Sequence, residues 1–230
     1  MPLRDDDDAP RGRVWSRREA LARLRALGAL AAWPGGRALG AAGGGCVATP
    51  AQTEGPFFLD TRLDRSDLRI DAPGAAPRAG LPLALELRVS RADASGCAPL
   101  AGAIVDLWHC DAAGVYSGTQ GAERFLRGYQ VSGADGRVRF VTVYPGWYRG
   151  RAVHLHFKVR SGAHDLTSQF YFDDALSDRV FARAPYAARG RPDVRNAQDF
   201  LYRQGGRALT LAPVERDGAL AATFDIALAA

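Results

Sequence analysis

Residues 144–159 read YPGWYRGRAVHLHFKV and hold two of the four histidines of a 230-residue chain. From Val153 to Val159 the side chains alternate without a break. In a β-strand, alternate side chains face opposite sides, so Val153, Leu155, Phe157 and Val159 form a core face while His154 and His156 share the other. Two rises of about 3.3 Å separate the histidine Cα atoms by about 7 Å, close enough for both rings to reach one ion. Two histidines on a solvent-facing strand are the competing reading. Tyr148 and Arg151 just upstream favour a metal site. Arg151, His154 and His156 do not all share parity, so the strand begins at or after Arg151 and the arginine stays on the loop side.

The same period recurs outward from this strand. LPLALELRV places Leu83, Leu85, Leu87 and Val89 on one face, and GAIVDLWH alternates through Ala103, Val105 and Leu107. YQVSGADGRVRFVTV reads as two strands of a hairpin around Asp135-Gly136. LTSQFYF is a further strand and ATFDIAL a closing one, whereas residues 174–204 have loop and short-helix character with Asp and Asn as candidate caps. Many short strands with turn signals between them predict an all-β fold, an antiparallel β-sandwich with long loops and short helices.

The formal charge is +5, but residues 1–45 carry eight Arg against five acidic residues, so most of the excess lies there. That distribution argues against a nucleic-acid-binding face. No run of about 18 apolar residues is present, so no membrane-spanning helix is expected. SRREALARL at residues 16–24, with Arg17 and Arg18 paired, followed by ALGALAAW and a run of small residues, resembles a twin-arginine export signal. Arg23, Arg25 and Asp5–Asp8 depart from that pattern, and a disordered extension is the alternative. Residues 1–45 are therefore read as a leader or extension, and 46–230 as one catalytic domain, exported to the periplasm or beyond, with a cytoplasmic location as the alternative. Of the three cysteines, Cys97 and Cys110 bracket a turn and a strand and are expected to pair in an oxidising compartment, leaving Cys46 as the odd thiol.

A second segment, DLWHCDAAGVYSG, places Tyr116 after a turn that directly follows a strand. The ordered set Tyr116, Tyr148, Arg151, His154 and His156 resembles that of the intradiol ring-cleavage dioxygenases, the protocatechuate and catechol dioxygenase group. TPAQTEGPFFLD is similar to the opening segment of that family, and SQFYFDD falls where the family has a glutamine near the substrate, here Gln169. The resemblance covers nearly all of residues 46–230. It implies a mononuclear, non-haem Fe(III) ion held by Tyr116, Tyr148, His154 and His156. Arg151, Tyr148 and Gln169 would be catalytic, and Gly55, Pro56 and Trp147 would meet the substrate, with Glu54 and Phe57 at the pocket mouth. The implied partners are a catechol and dioxygen, with Tyr148 as the displaceable ligand and a cis,cis-muconate as product. The short link from Tyr148 to Arg151 departs from the protocatechuate enzyme, and the leader suggests the secreted branch.

His109, in a strand beside Trp108, is read as structural, and His164 as solvated. A non-catalytic β-sandwich binding module is the alternative of a different class, and a degenerate iron-binding family member is a third. The sequence names neither the catechol nor the oligomeric state.

Overall fold

The structure is a computed structural model that describes residues 46–229 apart from 73, 94, 95, 120 and 163. The leader reading of residues 1–45 falls outside the described residues.

Two sheets stack on one core. The first holds β1 (Pro82–Asp93), β2 (Gly96–Pro99), β5 (Arg137–Val143), β9 (Val214–Arg216) and β10 (Ala219–Ala229). The second runs in the order β4-β3-β6-β7-β8, from β4 (Arg127–Val131), β3 (Ile104–Trp108), β6 (His154–Arg160), β7 (Asp165–Phe172) and β8 (Thr210–Leu211). Leu83, Leu85, Leu87 and Val89 of β1 are buried against Val105 and Leu107 of β3 and Leu155, Phe157 and Val159 of β6. Each such side chain contributes roughly 1.5–3 kcal/mol when fully buried, which is why the alternating faces dictate the two-layer arrangement. β6 begins at His154, so Arg151 stands on the loop before it, as its parity requires.

The sandwich is mixed, where alternation predicted an antiparallel one. β1 pairs parallel with β10 from Leu83↔Leu220 to Ala92↔Ala229, and β7 pairs parallel with β8. A parallel pair needs a long crossover, and the whole second sheet lies in the chain between β1 and β10.

The Asp135-Gly136 turn forms, but it does not close a hairpin. β4 pairs with β3 and β5 with β1, so the turn carries the chain from one sheet to the other. The carbonyl of Gly136 accepts from Val89 N at 2.8 Å, drawing the turn onto β1. With φ at 73° and room for no Cβ (one would lie 2.2 Å from Val89 O), only glycine fits there.

Between β7 and β8 the chain forms α1 (Asp174–Phe181) and, among the described residues, four 3-10 turns. Asp173 caps α1 by accepting from Ala175 N and Leu176 N, and Leu176, Val180 and Phe181 face the core.

The cysteine pairing differs from expectation. Cys46 is disulfide-bonded to Cys97, and Cys110 is the buried free thiol. Cys97 sits on β2 of the first sheet, while Cys110 follows β3 of the second, packed with Trp108 and Tyr116. The two belong to different layers, which keeps them apart despite their closeness in sequence.

Candidate metal centre

Three chain segments supply the site. Tyr116 lies in the loop after β3, where Asp111 Oδ1 accepts from Ala113 N and Val115 N, each at 3.0 Å, and so bends the backbone. That loop is pressed against the one carrying Tyr148. Gly146 N donates to Asp111 O at 3.1 Å, and a Cβ on Gly114 (φ 79°) would stand 2.2 Å from Trp147 O. The third segment is the start of β6. There His154 and His156 lie opposite Tyr171 and Gln169 of β7, and His156 also lies opposite Trp108 of β3.

The rings converge. His154 Nε2 and His156 Nε2 are 3.1 Å apart, and Tyr148 Oη is 3.3 Å from His154 Nε2. Tyr116 meets Tyr148 edge-on with centroids 5.7 Å apart, and lies 6.3 Å from the His156 ring. His154 Nδ1 is 2.7 Å from Ala152 O, a contact only a donor satisfies, so the proton sits on Nδ1 and Nε2 presents a lone pair. Burial, reinforced by the Arg151 charge, pushes the His154 pKa down to about 3, and burial with the neighbouring His154 holds His156 well below its ordinary value. Both imidazoles are thus neutral, the state in which histidine binds metals.

The phenols point to the same chemistry. Tyr116 Oη is buried with no hydrogen-bond partner. Burial, then the neighbouring Tyr148, raises the Tyr116 pKa well above the ordinary phenol value, and burial raises Tyr148 to about 12 against the pull of Arg151. A bare phenolate is disfavoured here, and an orphaned buried hydroxyl costs about 1–3 kcal/mol. A multivalent cation reverses both penalties by binding the phenolates directly. Among the described residues no group of three or more His, Cys, Asp or Glu could hold a metal. The donor set here is instead two neutral imidazoles and two phenols, and it fits an ion of high charge.

Arg151 is buried beside this set. Its Nε donates to Asp199 Oδ2 at 2.9 Å, and its Nη2 to Gln169 Oε1 at 2.7 Å. Burial opposes the guanidinium charge, but Tyr148 and Asp199 more than offset it and hold Arg151 protonated. Gln169 is fully buried and is tied in turn to Thr53 O at 3.1 Å.

The segment around Gly55 lies over the histidines, since a Cβ there (φ 69°) would stand 3.4 Å from His156 Cε1. Pro56 is exposed, while Phe57 stacks on Tyr116 with centroids 4.2 Å apart. Glu54 is ion-paired with Lys158. Trp147 is not brought into the cluster. Its indole N–H donates to Gly190 O, and the Arg189 guanidinium covers its ring. His109 is buried between Cys110 O and Thr142 Oγ1, in keeping with a structural role.

Sequence reasoning missed several neighbours. Trp108 stacks on His156 at 5.0 Å and 9°, and Tyr171 Oη lies 3.4 Å from Arg151 Nη2. Tyr171 shares the parity of Gln169 on β7, which is a usable signal. Arg127, buried, donates to Ser117 O and to Phe57 O at 2.5 Å, fixing the wall behind Tyr116. Asp199, 48 residues from Arg151, carried no local signal.

A sequence family described as Dioxygenase matches residues 53–228. Among solved structures, the chain is similar to an intradiol ring-cleavage dioxygenase from Tetranychus urticae, with 26% identity, a TM-score of 0.72, and 80% of this chain and 94% of that one covered. It is also similar to the dioxygenase domain of a dioxygenase carbohydrate-binding protein fusion from Streptomyces sp. SirexAA-E, with 32% identity, a TM-score of 0.60, and coverage of 79% and 98%. A sandwich whose loops and one strand gather two tyrosines and two histidines, with this family match, places the chain in the intradiol ring-cleavage dioxygenase family. Sequence relatives include catechol 1,2-dioxygenase 1 of Acinetobacter lwoffii, 30% identical over 53% of this chain, and a chlorocatechol 1,2-dioxygenase of Pseudomonas putida, 34% identical over 32% of it. The match spans only 45% and 36% of the length of those two relatives.

Proposed function

We propose that this chain holds one non-haem ferric ion between Tyr116, Tyr148, His154 and His156, and cleaves a catechol-type ring between its two hydroxyl-bearing carbons. Both atoms of dioxygen enter a cis,cis-muconate-type product. The observation that carries this reading is His154 Nε2 meeting His156 Nε2 at 3.1 Å and Tyr148 Oη at 3.3 Å, beside a buried Tyr116 oxygen with no hydrogen-bond partner. A ferric ion there would supply the Lewis acidity that keeps both phenols ionised and favours a bound catecholate.

The chain's residues do the rest. His154, its Nδ1 proton fixed on Ala152 O, stays neutral and correctly turned. Tyr148 is the less enclosed of the two phenols, and its Oη is the base placed to accept a catechol hydroxyl proton. Phe57, stacked on Tyr116, and Trp108, stacked on His156, back these two rings with apolar surface that excludes water from them. Arg151 is a fixed cation beside the reacting ring, where negative charge develops during cleavage. A preorganised group of this kind is worth about 10²–10³ in turnover.

Reconstitution with iron, followed by a panel of catechols with and without ring carboxylate, hydroxyl or chloro groups, tests the proposal. Wine-red protein that forms a muconate supports it, and colourless protein with no product on any catechol overturns it.

Export is part of the same reading. The Arg17-Arg18 pair and the Cys46–Cys97 disulfide support an oxidising compartment. Recovery of the native protein from the cytoplasm with all three thiols free would contradict that location alone.

A further inference from the structure

We infer that Asp199 is the positioning residue for Arg151, setting the direction in which the guanidinium meets the ring being cleaved; this rests on the function proposed above. Asp199 is almost wholly buried and both of its oxygens are committed. Oδ2 accepts from Arg151 Nε at 2.9 Å and from Ala152 N at 2.8 Å. Oδ1 accepts from Leu201 N at 2.8 Å and Tyr202 N at 3.0 Å. Three backbone N–H groups from two chain segments thus clamp the carboxylate before it meets the arginine.

Gln169 completes the hold. It takes Nη2 of Arg151 while its own amide is fixed to Thr53 O. With Nε and Nη2 both engaged, the guanidinium plane cannot turn. Nη1 is the nitrogen not committed to Asp199, Gln169 or Tyr171. The charge matters as well as the geometry. Asp199 is the carboxylate ion-paired with Arg151, and without it a cation would stand uncompensated in a buried site.

Asp199 also accepts from Leu201 N and Tyr202 N at the entry to the 3-10 turn Tyr202–Gln204, so stapling this loop is the competing explanation of its burial. The substitution Asp199→Asn separates the two when combined with Arg151→Gln. An asparagine has one acceptor oxygen, so its amide group must face either the Arg151/Ala152 donors or the Leu201/Tyr202 donors. Asp199→Glu keeps the charge but advances the carboxylate by one methylene, and serves if the asparagine variant fails to fold.

The experiment is a double-mutant cycle on iron-loaded protein with catechol, reading kcat, KM and iron content separately, together with the side-chain Nε–H resonance of Arg151 in metal-free, 15N-arginine-labelled protein. We expect Asp199→Asn to lower kcat about 10²-fold with KM changed less than about threefold and iron content retained. No further loss is expected when Arg151 is already glutamine. The Nε–H resonance that disappears in Arg151→Gln should move or vanish in Asp199→Asn and shift in Asp199→Glu. Losses that multiply in the double variant, or an unmoved Nε–H resonance, would overturn the inference. Failure of the proposed function reads differently, as absence of turnover in the iron-loaded wild-type protein, and the resonance then still decides whether Asp199 holds Arg151.

Discussion

His154 and His156 bring their Nε2 atoms within 3.1 Å of each other at the start of β6, with both rings buried and neutral. Ala152 O holds the His154 proton on Nδ1, while His156 Nδ1 is buried with no partner, so a cation between the two Nε2 atoms would be met by the lone pairs of both neutral rings. His154→Ala and His156→Ala should therefore each lose most of the bound iron and its colour, as read by elemental analysis and visible absorbance. Full iron in both variants would refute the ligand assignment.

Tyr148 should behave differently. With Phe in its place, Tyr116 and both histidines remain, so part of the iron should stay. Turnover should fall by about 10²-fold or more, because the base for the catechol proton is gone. Single-turnover assays normalised to iron content check this, and an unchanged rate per iron would remove Tyr148 from the chemistry.

The Cys46–Cys97 disulfide closes a loop of 51 residues. In the chain-entropy picture a loop of that length contributes about 4 kcal/mol. Cys97→Ser should lower the denaturant midpoint accordingly while leaving kcat at 25 °C unchanged, because β2 sits at the edge of the first sheet. In the folded protein Cys110 should resist alkylation, since burial, then the nearby Asp111, pushes its thiol pKa up to about 12.

Acid should destabilise the metal-free protein early. Burial depresses the pKa of His109 to about 4 and of His154 to about 3, and holds His156 well below its ordinary value. The unfolded chain takes up these protons near pH 6.5. Below that pH the unfolded state binds more protons than the folded one, so stability falls as pH drops from about 6.5 towards 4. Denaturant melts across this range read the slope, and a flat profile would show that the histidines are not buried neutral. Iron loading should raise stability near neutral pH and steepen the profile, because a bound cation excludes protons from both Nε2 atoms and displaces the phenol protons, widening the difference in proton uptake between the unfolded and folded states.

Much of the site was legible because its chemistry is concentrated. Tyr148, Arg151, His154 and His156 lie within nine residues, and a period of two on VHLHFKV sets which rings share a face. β1 and β3 were readable for the same reason. Alternation is blind to strand direction, however, so the parallel pairing of β1 with β10 left no trace in it. The Asp135-Gly136 turn fixes local backbone shape, but whether its flanks share a sheet depends on β1 and β3, which compete for them. The cysteine pairing failed on that point too, since it required knowing that Cys97 and Cys110 belong to different layers. Asp199 reaches Arg151 across 48 residues from a stretch of short turns with no periodicity, and only the folded structure brings them together.

The loop carrying Tyr148 leaves β5 of the first sheet, whereas Tyr116 and the histidines belong to the second. Tyr148 thus lies on the connection that crosses from one layer to the other, between Val143 and His154. An ion chelated by all four residues would therefore pin the crossing between the layers onto the second sheet. The share of the tyrosinate colour that Tyr148 adds to that of Tyr116 would then report the seating of this crossing on the second sheet.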